Sequence, residues 1–187
     1  MRRLIMSALA AAGILSAFAA GAAPRQQGEM NWMDRRFVRM AAEGGQAEVQ
    51  MANMALDKRT NGPVREFARR MVDDHTRAND RLAALASDQN IALPNGIGFT
   101  NRQTMDRLMN LSGFAFDRAY ASNQVQAHVQ TVALFRQEAR DGRNPALRDF
   151  ARNTLPTLNE HLRMARNLGR MESRPAFYRR WRGSSGY

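Results

Sequence analysis

Apolar side chains recur along most of this chain at alternating steps of four and three residues, the spacing that lays a stripe along one side of a helix packed against neighbours. The clearest run is residues 63–85, where Val64, Ala68, Met71, His75, Ala78, Leu82 and Leu85 keep the step. Asn61-Gly62 ahead of it is turn chemistry, and Pro63 suits a first helical turn, where its missing N–H has no partner to lose. Upstream, from Asp34, a stripe of Phe37, Ala41, Gly44, Glu48, Met51 and Ala55 is flanked by Val38, Ala42, Gly45, Val49, Ala52 and Leu56, so this helix buries a broad face. Gly44-Gly45 inside it costs roughly 1 kcal/mol per glycine against alanine, which points to close helix contact or a bend. Downstream, Ser112 is placed to cap a helix with Phe114, Asp117, Ala121, Gln124 or Val125, His128, Val132, Phe135 and Ala139 as its inner row. Residues 141–144 form a turn, with Asn144 as N-cap and Pro145 in the first position of a last helix. Its stripe is Leu147, Ala151, Thr154, Leu158, His161, Ala165 and Leu168, with Gly169 as the expected C-cap. Pro156 interrupts that helix and predicts a kink.

Two of these helices carry echoes. Arg148-Asp149-Phe150-Ala151-Arg152 repeats Arg65-Glu66-Phe67-Ala68-Arg69 at an offset of 83 residues, and Asn144-Pro145 repeats the proline start. On the preceding helices, Glu48-Val49-Gln50 matches His128-Val129-Gln130 at an offset of 80. The reading is a duplicated helical hairpin, its copies related by an approximate two-fold that places Phe67 on Phe150. Between the copies, residues 93–98 (Leu-Pro-Asn-Gly-Ile-Gly) are loop composition, and Thr100 is the expected N-cap of a short helix over 101–111 with Met105, Leu108 and Met109 on one side. A connection of about twenty residues exceeds an ordinary helix-to-helix loop and is long enough to carry the chain along a bundle. The expected fold class is therefore all-α, a ferritin-like four-helix bundle with a long crossover.

Composition narrows the partners and the chemistry. The 187 residues include no cysteine, which removes disulfides, thiolate metal sites and cysteine nucleophiles. Lys58 is the one lysine among 28 basic residues, so the net charge of +11 is an arginine bias that reflects coding composition as readily as phosphate binding. Met1-Arg2-Arg3 followed by an uncharged apolar run to Ala20, with Ala20-Gly21-Ala22 as a small-x-small site, predicts a secretory signal over residues 1–22. Its removal leaves 26 basic against 17 acidic residues, and no later stretch is apolar enough to cross a membrane. The mature chain then divides into a loose lead (23–30), the helical domain (31–169) and a basic, aromatic tail (170–187). In the tail Arg174, Arg179, Arg180 and Arg182 flank Phe177, Tyr178 and Trp181. Such a segment suits an anionic envelope lipid or polysaccharide; export argues against nucleic acid. The expected location is the periplasm, with a peripheral place on the outer membrane as the alternative.

The only three histidines, His75, His128 and His161, all fall on inner rows, and the remaining long helix contributes Glu48 to its own. At about 1.5 Å of rise per residue, Glu48 and His75 lie roughly 20 and 21 Å from the Asn61 turn, while His128 and His161 lie roughly 21 and 29 Å from the Gly142 turn. One carboxylate and three imidazoles near mid-height would hold one divalent transition metal ion, zinc, iron or copper. Asp74, Asp117, Tyr120 and Glu160 are candidate partners for the ligating rings, which usually donate their other N–H to a carboxylate or carbonyl. The residues fit a polar core layer without metal better, Glu48 bonded to the histidines and the layer fixing helix pairing; the expected function is that of a binding or envelope-associated protein, with the metal site and a purely structural bundle as the alternatives. No catalytic triad, Walker loop or Rossmann fingerprint is present, and no enzyme activity is expected.

The stretches at 37–48 (FVRMAAEGGQAE), 67–75 (FARRMVDDH) and 111–120 (LSGFAFDRAY), with His128 and with Leu155-Pro156 before His161, resemble the bacterial domain-of-unknown-function family 4142. Members of that family are exported and often labelled outer membrane proteins. The resemblance spans about residues 31–168 and implies a ferritin-like helical bundle without an established activity. Ferritin-like di-iron proteins use Glu-x-x-His on two helices; here the residues three before His75 and His161 are Val72 and Leu158, so the resemblance implies no di-iron centre and at most a single metal.

Overall fold

The structure is a computed structural model that describes residues 30–172. All its regular elements are helices: α1 (Trp32–Asp57), α2 (Gly62–Asp88), α3 (Gly98–Met109), α4 (Gly113–Asp141) and α5 (Pro145–Glu172). No described helix is long and apolar enough to cross a membrane. The signal segment over 1–22, all of the lead but Met30, and the tail residues Arg174, Phe177, Tyr178, Arg179, Arg180, Trp181 and Arg182 lie outside the described residues.

Three of the four long helices start where side chains satisfy the free backbone donors of the first turn; at α4 Ser112 holds the N-cap position, but its side chain makes no capping hydrogen bond. Asn31 and Asp34 form a reciprocal capping box, so α1 begins two residues earlier than its apolar stripe indicates. Asn61 caps α2 through Val64 N at 2.9 Å, and Asn144 caps α5 through Leu147 N at 3.1 Å. The short crossover helix departs from expectation. Thr100 is not its cap; α3 starts at Gly98, whose φ of +75° follows a sharp turn that glycine accommodates. Its far end is fixed by Lys58, whose Nζ donates to the carbonyls of Met109 and Leu111. The C-cap expected at Gly169 is also absent, because α5 runs on to Glu172, where a buried carboxylate accepts from Asn61 Nδ2 at 2.8 Å. Pro156 sits within α5 without ending it.

α1 packs on α2, and α4 on α5; α2 faces α5, α1 faces α4, and α3 lies against α1 and α4. The turn contacts give the chain directions. Asp34 at the start of α1 accepts from Arg143 N and Asn144 N, so the α4–α5 turn lies beside it. Asp117 near the start of α4 accepts from Asn61 N and Nδ2, so the α1–α2 turn lies at the opposite end. Facing neighbours therefore run antiparallel.

These contacts also repeat. Asn61 bonds Asp117 and Glu172, and Asn144 bonds Asp34 and Gln89; each residue of the second set has its counterpart in the first at an offset of 83. Phe67 meets Tyr120 edge-on with centroids 6.2 Å apart, and Phe150 meets Phe37 edge-on at the same 6.2 Å, again 83 residues displaced. The match of Glu48 with His128 at an offset of 80 is thus not the structural one. His128 corresponds to Gly45, His75 to Leu158 and His161 to Ala78.

Two apolar clusters fill the interior. One surrounds Phe67, Met71, Phe116, Tyr120 and Leu168 at the Asn61 end; the other surrounds Phe37, Leu82, Phe135, Phe150 and Leu158 at the Gly142 end. The inner row of α4 differs from expectation at its ends. Steps of four through 116, 120, 124 and 128 bury Phe116 and leave Phe114 exposed, and Glu138 rather than Ala139 closes the row.

Candidate metal centre

Between the two apolar clusters α2, α4 and α5 bring their histidines together. His75, His128 and His161 are all buried, with ring centroids 5.3–5.7 Å apart, and each offers a ring nitrogen within 4.8 Å of the others. His128 and His161 meet although counting along the axis from the Gly142 turn separates them. Side chains on a helix tilt toward its N-terminus, so His128 leans away from that turn and His161 toward it, and the offset closes.

Each ring keeps a bare nitrogen. His128 Nδ1 is 2.9 Å from the Gln124 carbonyl and donates to it, leaving Nε2 without a partner. His161 Nε2 is 2.9 Å from Asp74 Oδ2, leaving Nδ1 bare, and His75 Nε2 is bare as well. Burial, reinforced by the neighbouring rings, pushes the His75 imidazolium well below the usual histidine range. For His161 burial also lowers the pKa and outweighs the hydrogen bond to Asp74. Both rings are therefore neutral at physiological pH and keep a lone pair free, the state in which imidazole ligates a metal.

Asp74 is the carboxylate that orients the site. Burial raises its pKa, but hydrogen bonds from His161 and Arg70 together prevail and lower it. Arg70 and Arg77, one turn away on either side along α2, clamp it from the surface. The i,i+4 and i,i+3 spacing of these arginines to Asp74 was a legible signal that stripe analysis passes over.

The other candidates occupy different positions. Glu48 lines a cavity of about 30 Å³ together with Asp74, His75 and His161, yet its Oε2 accepts from Gln124 Nε2 at 2.7 Å and it is not one of the converging group. Axial counting sets height only; it does not decide which way a flexible carboxylate turns, and the Gln124 amide supplies a donor. Tyr120 is fully buried between Phe67 and Phe116, its hydroxyl unpartnered and held protonated by burial and by the Glu48 charge. Asp117 serves the Asn61 turn, well removed from the histidines. Glu160 points to solvent and pairs with Arg163.

A family model described as a domain of unknown function, DUF4142, matches residues 19–168. The chain belongs to this family. No curated protein matches it. Similar solved structures include three of one protein. CopM in the Cu(II)-bound form has a TM-score of 0.59 at 17% identity, covering 75% of this DUF4142 chain and 98% of that one. CopM in the Cu(I)-bound form gives 0.62 at 16%, covering 81% and 99%. CopM in the Ag-bound form, by co-crystallization, gives 0.60 at 17%, covering 81% and 98%. At these identities the likeness is one of fold.

Proposed function

We propose that this protein is an exported metal-binding protein that holds one transition metal ion, copper in the first instance, on His75, His128 and His161 of a ferritin-like bundle built from a duplicated hairpin. The observation that carries the reading is the convergence of three buried imidazoles from three helices, each with a nitrogen that nothing satisfies. A buried polar atom left unpaired costs roughly 1–3 kcal/mol. In a core layer without metal, neutral rings this close would offset that cost by N–H···N bonds, and these rings make none. A cation satisfies all three nitrogens at once. Imidazole suits copper, zinc, iron and nickel, and the Cu(II), Cu(I) and Ag forms of the structurally similar CopM favour copper. The signal pattern of residues 1–22 supports export. Binding, rather than turnover, is the role the donor set supports, as the two carboxylates that share the small cavity with the rings are already engaged, Asp74 by His161 and two arginines and Glu48 by Gln124.

The test is Cu(II) titration of the mature chain by competition with a chelator of known affinity. One ion per chain is expected, with each of His75→Ala, His128→Ala and His161→Ala losing at least the 10–100-fold that loss of an outer-shell partner costs. Stoichiometric binding untouched by all three substitutions would remove the site.

A further inference from the structure

The geometry points to a single entry route for the metal ion, running under α3 between α1 and α4 and passing the bare backbone of Gly44. This rests on the metal-binding reading of the histidines.

Along the bundle axis the site is closed by the two apolar clusters. On the side where α2 faces α5, Asp74 is held by Arg70 and Arg77, so an approaching cation meets two exposed guanidinium groups and a carboxylate already occupied. Where α1 meets α2, the side chain of Asn79 fills the space beside Gly45; a Cβ there would lie 2.0 Å from Asn79 Oδ1. Where α4 meets α5 the two helices make the most extensive contact in the bundle and leave no opening. The side between α1 and α4 differs in charge and in packing. A cavity of about 260 Å³ lies between α1, α4 and the start of α3, and it shares Met40, Gly44, Glu48 and Thr131 with the small cavity that touches His75 and His161.

Gly44 lies in the wall that the two cavities share. A Cβ built there meets nothing within 4 Å, so the space beside it is open and a longer side chain at 44 projects into the passage. The donors along the way attract cations: Glu43 lines the outer cavity, Glu48 the inner one, and the Met40 thioether both. Carboxylate holds hard or borderline ions and thioether soft ones, so the route admits both Cu(II) and Cu(I). α3 forms its roof, with Gly98 close enough that a Cβ would lie 2.7 Å from the Glu43 carboxylate.

The test is stopped-flow mixing of Cu(II) with the mature chain and with Gly44→Leu. Leucine is a strong helix former in place of a glycine that is unfavourable mid-helix, so the variant folds, and its side chain fills the open space where the two cavities meet. Association and chelator-driven release are both expected to slow by about tenfold or more, while the equilibrium Kd stays within about twofold, because a barrier on the path changes rates and not end states. Gly44→Ala, too small to plug, is expected to keep wild-type rates. Unchanged rates in Gly44→Leu, with copper still bound at the histidines, overturn the route and leave the site standing. A Kd weakened in step with association also overturns it, as the residue then shapes the site. Absence of binding in the wild type, or binding indifferent to His128→Ala, removes the site and the route together.

Discussion

His128 donates Nδ1 to a carbonyl one turn back and His161 gives Nε2 to Asp74, and in each case the first bond fixes which nitrogen remains for a ligand. Asp74 has the larger influence, since a carboxylate orients the His161 ring and also raises its basicity toward a metal. Asp74→Asn is expected to weaken Cu(II) binding about tenfold. The apo stability should change little, because the asparagine carbonyl still accepts from His161 Nε2 and the ion pairs lost are with exposed Arg70 and Arg77. Chelator competition alongside a urea melt separates the two effects. A fall in both by comparable free energy would make Asp74 a structural residue instead.

Among elements, α1 shows how two identical residues take on different work. Gly44 and Gly45 each read as an unfavourable choice mid-helix, and the sequence offers a close contact or a bend as the reason. Only Gly45 makes a close contact, against Asn79 of α2, while Gly44 borders open space. Gly44→Ala is therefore expected to raise the unfolding free energy by about 1 kcal/mol. Gly45→Ala should gain less, as Asn79 must move aside. Urea unfolding of the pair checks this, and an equal gain at both sites would contradict the packing described for Gly45. The repeat at this scale was legible in Phe67 and Phe150 but misaligned for α1 and α4, because the two identities of Val49-Gln50 with Val129-Gln130 outvoted the capping and aromatic residues whose contacts repeat. Asp34 with Asp117, Phe37 with Tyr120 and Asn61 with Asn144 all lie 83 residues apart, yet nothing in a one-dimensional match reveals that each pair makes the same contact.

For the whole molecule, stability is bounded by buried ionisable groups at two levels. Near the Gly142 turn Glu138 lies against Asp34, with neither of its oxygens receiving a hydrogen from another group; burial first, then Asp34, pushes its pKa up to about 8 from an ordinary 4.5. The folded state thus binds a proton that the unfolded chain releases, so stability from this group is fully present below 4.5 and is lost as pH rises through about 8. His75 and His161 act in the opposite sense. Their folded pKa values lie below the ordinary 6.5, so the neutral core is stable above that value and loses stability as pH falls beneath it. The apo protein is expected to be most stable near pH 6.5, and Glu138→Gln should remove the decline between there and pH 8 while leaving the acid limb. Urea midpoints across pH 5–9 measure both limbs; an alkaline decline that persists in Glu138→Gln would place its origin elsewhere.

By itself the sequence determined that this chain is helical, where its long helices lie and which residues share an inner face, because helical periodicity, asparagine caps and proline starts are local properties that survive reading in one dimension. It also put all three histidines on inner rows, although counting left His128 and His161 at different heights, an offset that the tilt of their side chains closes. Only the tertiary structure decided which polar groups meet. It turned Glu48 toward Gln124, drew Asp117 and Tyr120 to the Asn61 end, left Glu160 in solvent and gave Asp74 to His161. The reason is that a flexible polar side chain several ångströms long goes to whichever partner is within reach, and that partner is set by how neighbouring helices tilt and turn against each other, which no single helix encodes.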